Sequence, residues 1–176
     1  GAPRLYARVM SLYVVGASLA ALLLGAFAPE ALAWLVPAEY RGAARPALLL
    51  GFAAVAYGAY YVSCLGIQLA LRTSLLGWTA AVAAAVAVAA NAVLTPRLGG
   101  IGAATATLLG NVTLAVATYA AAQSVHPLPY RGGRLLALFV LAGLLAIAAQ
   151  HGSLLGPWGW TIKPAAVGVF VVAVLA

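Results

Sequence analysis

The chain contains no aspartate, and its only carboxylates are Glu30 and Glu39. General acid/base catalysis needs titratable groups that converge, whereas here two carboxylates and two histidines, His126 and His151, are scattered over separate segments of 176 residues. No acid/base pair is in prospect, and the sequence reads as a protein that is not an enzyme. Cysteine occurs once, as Cys64 within an apolar run, which excludes an internal disulfide. Ser63 and Cys64 have no base nearby to activate them. His, Cys and carboxylate positions show no metal-ligand spacing, so neither a metal nor a cofactor is expected.

Charge is scarce in general. Charged residues make up 6% of the chain and hydrophobic ones 66%, and the mean hydropathy is +1.10. That is too little polar surface to cover a water-soluble globule of this length, so the chain is expected to be an all-α integral membrane protein. The net charge of +7 comes from nine Lys and Arg against two Glu. A basic excess this sparse suits loops held at a membrane surface and argues against nucleic acid as a partner.

Six apolar runs are long enough, or nearly so, to cross about 30 Å of hydrocarbon. They cover approximately residues 9–28, 47–69, 75–94, 101–122, 135–149 and 161–176. The expected architecture is a polytopic bundle of five complete spans plus a sixth that is cut, in a fragment of a larger protein. Prolines 3, 29, 37, 46, 96, 127, 129 and 157 fall at run edges or in loops, with Pro164 alone near the start of a run. Trp34, Trp78, Trp158 and Trp160 lie near run ends, as interfacial rings should. A short segment from Glu30 to Leu35 is expected along the interface, and Asn91 is expected to cap its helix.

Between the third and fourth runs, Leu94-Thr95-Pro96-Arg97-Leu98-Gly99-Gly100 predicts a reversal of the chain outside the hydrocarbon. Gly102, Ala106 and Gly110 then recur every four residues, placing small side chains on one helical face where a neighbouring helix can approach closely. Alternating the loops sets Arg4, Arg8, Arg72, Arg131 and Arg134 on one side, assigned to the cytoplasm. Arg41, Arg45, Arg97 and Lys163 fall on the other, together with both carboxylates.

Two spans carry polar seams. In the second, Tyr57, Tyr61, Cys64, Gln68 and Arg72 fall within a stripe roughly 80° wide at about 100° per residue, with Tyr60 at its edge. A phenol hydroxyl in mid-span needs a partner, either a neighbouring helix or a wet cavity, and both readings are open. In the fourth, Thr107, Asn111 and Thr118 share a face beside the small-residue face; Asn111 is either an interhelical tie or part of a pathway. The substrate-pathway candidates are therefore Tyr57, Tyr61, Gln68, Arg72 and Asn111.

Several of these stretches carry a resemblance. The Asn91-Ala92-Val93-Leu94 helix end with its Pro-Arg-x-Gly-x-x-Gly-Ala-Ala turn resembles the C-terminal half of bacterial polysaccharide-biosynthesis flippases, of the multidrug/oligosaccharidyl-lipid/polysaccharide transporter superfamily. Further similar stretches follow the same order. They are Ala28-Pro29-Glu30 with Val36-Pro37-Ala38-Glu39-Tyr40, Gly66-Ile67-Gln68 with Arg72-Thr73, and His126-Pro127-Leu128-Pro129-Tyr130 before Arg134-Leu135. The resemblance covers roughly residues 5–140. It implies a C-terminal lobe that starts from the cytoplasm, with an N-terminal lobe of about six helices as its partner in a bacterial inner (plasma) membrane. The implied substrate is a lipid-linked oligosaccharide, flipped from the inner to the outer leaflet by alternating access of the two lobes. Alternatives within the superfamily are a cation-coupled drug antiporter and a lipid II flippase. Outside it stand a membrane-embedded glycan-processing enzyme or ligase and a non-transporting scaffold.

Overall fold

The computed structural model describes the backbone of residues 2–125, 132–152 and 159–175, and the side chains of residues 8–125, 132–150 and 162–175. Arg4, His126, Arg131, His151, Trp158, Trp160 and the prolines at 127, 129 and 157 lie outside the described side chains. The chain forms six α-helices: α1 (Ala2–Leu35), α2 (Ala44–Leu69), α3 (Ser74–Leu98), α4 (Gly100–Val125), α5 (Gly132–Gly152) and α6 (Gly159–Leu175). A 3₁₀ turn, Ala38–Ala43, joins the first two, and there is no strand among the described residues. Five helices are long and apolar enough to cross a membrane, and the apolar part of the sixth is shorter. The protein is an all-α, multi-pass membrane bundle.

Helix order in space differs from order in the chain. α4 packs on both α2 and α3, α2 on α1, α1 on α5, and α6 against α5 and α1. The main core lies where α1, α2, α5 and α6 meet and consists of Leu22, Leu48, Phe52, Leu138, Ala142, Ala146 and Phe170 with their neighbours. Lipid is as apolar as these side chains, so close packing rather than water exclusion holds the helices together. The small-residue face of α4 meets that need as expected. Gly102, Ala106 and Gly110 are buried, and a Cβ at Gly110 would lie 2.7 Å from the Cβ of Ala87 on α3.

Two expectations about proline and one about the interface are corrected: Pro29 and Pro96 lie inside α1 and α3, and α1 runs unbroken to Leu35 without a separate interfacial segment, whereas Pro164 lies near the start of α6 as expected. A proline at position 29 cannot donate to the carbonyl of Gly25, four residues earlier. Gln150 on α5 takes over, its Nε2 donating to Gly25 O at 3.0 Å and to Ala44 O, at the start of α2, at 3.2 Å. The freed carbonyl is satisfied by a neighbouring helix, so the break never comes. The other reversal is tighter than predicted. α3 continues through Pro96 to Leu98, Gly99 alone makes the corner at φ 57°, and α4 starts at once. Asn91 is consequently interior to α3, where its Oδ1 accepts from Thr95 Oγ1 at 2.7 Å instead of capping an end.

Gln150→Leu should lower stability in mild detergent by about 1 kcal/mol for each bond lost. Pro29→Ala in that background should recover part of the loss, because alanine restores a backbone N–H that can donate to Gly25 O. Equal stability of Gln150→Leu and wild type in thermal unfolding would show that the carbonyl finds another partner.

Candidate functional site

Midway along α2, three tyrosines cluster on one side of the helix. Tyr57 and Tyr61 are one turn apart; their hydroxyls lie 3.1 Å from each other and their rings pack edge to face with centroids 5.0 Å apart. Tyr60 stacks on Tyr57 at 5.8 Å and tilts against Tyr61 at 5.3 Å. Tyr57 is 41% exposed and Tyr61 58%, so this face points away from the bundle. A phenol in hydrocarbon needs a hydrogen-bond partner, and the pair supplies part of that internally. What it presents outward is ring surface with hydroxyl groups at the rim.

Tyr13 on α1 sets the position of this cluster. Its hydroxyl reaches the carbonyls of Ala54 and Val55 at 3.4 Å and lies against Gly58, where any side chain would collide with it. The α1–α2 contact is thus fixed one residue from Tyr57. The sequence reading overlooks Tyr13, although a tyrosine inside the first apolar run carries the same signal as those in the second.

Only part of the expected stripe survives. Gln68 is exposed on the same face, but Cys64 is buried. Arg72 leaves the stripe. α2 ends at Leu69, and Leu71 at φ 56° closes a Schellman turn in which Arg72 N–H bonds to Ile67 O and Leu71 N–H to Gln68 O. Helical periodicity therefore stops before Arg72, which is exposed in the short α2–α3 connection. The α4 residues part company as well. Asn111 Nδ2 donates to Ala53 O on α2 at 3.0 Å, and fully buried Thr118 donates to Thr79 on α3 at 3.1 Å. Thr107 is exposed and bonds back to Ala103 O.

The sequence does not foretell a second polar centre. Glu30, expected at or beyond the outer surface, lies inside α1, and Lys163, expected on the outer side at the start of the sixth run, lies inside α6 with a side chain only 2% exposed. The two form an ion pair, and the ammonium stands 5.5 Å from the centre of the Phe27 ring. Glu30 keeps 31% exposure, while its Oε2 atom is buried without a hydrogen-bond partner. Together with the bonds from Gln150 to Gly25 and Ala44, the pair ties α1, α2, α5 and α6 to one another by polar contacts. Among the described residues no three His, Cys, Asp or Glu cluster to hold a metal.

An apolar crevice opens between α4 and α5, with α1 and α2 as its floor. Its volume is about 350 Å³, and Met10, Val55, Ala115 and Phe139 are among the residues that line it.

Removing one partner of the ion pair tests its asymmetry. Glu30→Ala takes the carboxylate from a buried ammonium and should cost about 3 kcal/mol of stability, whereas Lys163→Met leaves a carboxylate with access to the surface and should cost about 1 kcal/mol. The double variant should be more stable than Glu30→Ala alone in thermal unfolding; additive losses would mean that the two charges are not coupled. No family model, no curated protein and no solved structure matches the chain.

Proposed function

We propose that the chain is part of a transporter that flips lipid-linked oligosaccharide from the inner to the outer leaflet of a bacterial inner membrane, with the Tyr57–Tyr61 face of α2 on the substrate path. One observation carries this reading: a hydrogen-bonded pair of tyrosine hydroxyls exposed at mid-depth on a membrane helix. A face meant only for lipid gains nothing from hydroxyls, and one meant only for packing would be covered by its neighbours. The resemblance of the loop stretches to polysaccharide flippases supplies the substrate class. It also implies an N-terminal lobe opposite this face and the Arg72 end in the cytoplasm.

A cation-coupled antiporter of the same superfamily is the second reading. It is favoured by Glu30, a carboxylate inside a membrane helix. The pairing with Lys163 weighs against it, because a neutralised carboxylate attracts a cationic substrate less.

Complementation of a flippase-deficient bacterium with the gene that encodes this chain distinguishes the two. Surface polysaccharide should be restored, and Tyr57→Phe/Tyr61→Phe should lower export severalfold at unchanged membrane levels, since only two hydroxyls and almost no volume are lost. Arg72→Ala should lower export and Arg72→Lys should recover part of it, because a compact cation still attracts phosphate. Drug resistance without polysaccharide export would favour the antiporter. Unchanged export in all of these variants would remove the α2 face from the substrate path.

A further inference from the structure

Asn91 on α3 shares a side of the bundle with the tyrosine face, and we infer that it meets the glycan of the transported lipid from the far wall of a groove that α2 and α3 form over α4. This rests on the transport reading and extends its path across a second helix. α4 packs on both α2 and α3, whereas α2 and α3 barely touch, so a trough runs between them with α4 as its floor. On α4, Asn111 points to α2 and Gly110 to α3. At about 100° per residue the exposed Thr107 falls between them, about 40° from the first and 60° from the second. Val112, Ala115 and Tyr119, which line the crevice, fall on the other side of Asn111. α2 divides in the same way: measured from Ala53, Tyr57 and Tyr61 lie about 40° and 80° to one side, and the crevice residues Ala56 and Ser63 about 60° and 80° to the other. On α3, the row Thr79, Ala83, Ala87 faces α4. One more turn brings about 40° of drift, which in this antiparallel helix carries the exposed Asn91 round to the trough.

The trough offers hydrogen-bond donors that the protein itself does not use. Asn91 Oδ1 takes the Thr95 hydroxyl, and neither hydrogen on its Nδ2 has an acceptor among the described residues. Of the two phenol hydrogens of Tyr57 and Tyr61, one lies between the oxygens and the other is unused. Thr107 donates to Ala103 O at 2.9 Å and keeps its oxygen as an acceptor. Hydrocarbon satisfies none of these groups, whereas the hydroxyl and carbonyl oxygens of a glycan satisfy all of them. Opposite the tyrosines the α3 wall consists of the exposed Ala80 and Ala84, which leave room for a sugar ring. Asn91 and Thr107 are equally far from the Gly99 corner and so share one depth, with Tyr57 about 12 Å further along at 1.5 Å per residue. An extended oligosaccharide, rather than a single sugar, reaches both stations.

The test uses the chain in phospholipid nanodiscs with a polyprenyl-pyrophosphate oligosaccharide that carries a diazirine on each sugar. After irradiation, cross-links should fall on both the 57–61 segment of α2 and the 84–91 segment of α3. Asn91→Leu, which keeps the volume and removes the amide, should lower the α3 cross-links severalfold. In the complementation assay it should lower export severalfold at unchanged membrane levels, and Asn91→Gln should recover part of both. Ala89→Leu, on the opposite flank of α3, controls for a merely structural effect, and losses equal to those of Asn91→Leu would overturn the inference. Cross-links confined to α2, or export unchanged by Asn91→Leu while Tyr57→Phe/Tyr61→Phe lowers it, would overturn it and leave the tyrosine face on the path. Cross-links confined to α3 would overturn the shared groove, and cross-links to neither segment would overturn the transport reading as well.

Discussion

Hydrocarbon offers no hydrogen bonds, so every backbone carbonyl that loses its helical partner must find another within the protein. The end of the bundle where α1 meets α2, α5 and α6 is built around that constraint. Pro29 frees the carbonyl of Gly25, and Gln150 reaches from α5 to occupy it while holding Ala44 as well. Arg134 on α5 likewise reaches a neighbouring helix, its Nη2 donating to Val174 O on α6 at 2.9 Å. In each case a long polar side chain spends its hydrogen bonds on backbone, which fixes which helices are neighbours more strictly than apolar contact could. The α1–α5–α6 half of the molecule depends on these ties.

The α2–α3–α4 half is held differently. Small residues let α4 sit close to α3, and two polar side chains, Asn111 and Thr118, bind it to α2 and α3 respectively. Interhelical bonds of this kind are worth about 1 kcal/mol each, so they set register more than they set stability. The two halves meet through α1 and α2 and diverge between α4 and α5, which is where the crevice lies.

How much of this the sequence reveals depends on distance along the chain. All six helices are readable from hydropathy, and the α4 packing face from its four-residue spacing, because both are local signals. Helix ends are misplaced wherever proline is read as a stop: Pro29 is tolerated because of a glutamine 125 residues beyond Gly25, a relation that no window of sequence contains. The Glu30–Lys163 pair spans 133 residues and is hidden for the same reason. Arg72 fails in the opposite way. Its position on the stripe assumes that the helix continues, and a left-handed Leu71, a conformation rarely taken by a branched side chain, ends it. Tyr57, Tyr61 and Gln68 stay on one exposed face because they lie within the helix itself.

These differences bear on the electrostatics of the proposed substrate path. Glu30 is the one carboxylate within the α1–α6 helices among the described residues, and it is matched to Lys163 at the end of the bundle where Gln150 also lies. The tyrosine face is left with neither a carboxylate to repel a phosphate nor a fixed cation to hold one. It can offer ring surface and hydroxyls, which suit the alternating C–H and O–H surface of a sugar ring, while Arg72 stands off the helix in the α2–α3 connection. On this arrangement the glycan and the charged phosphate of a lipid-linked substrate would be met by different parts of the chain. Weak, uncharged contacts along the path would let the sugar move, and attraction to phosphate would act only at the entrance.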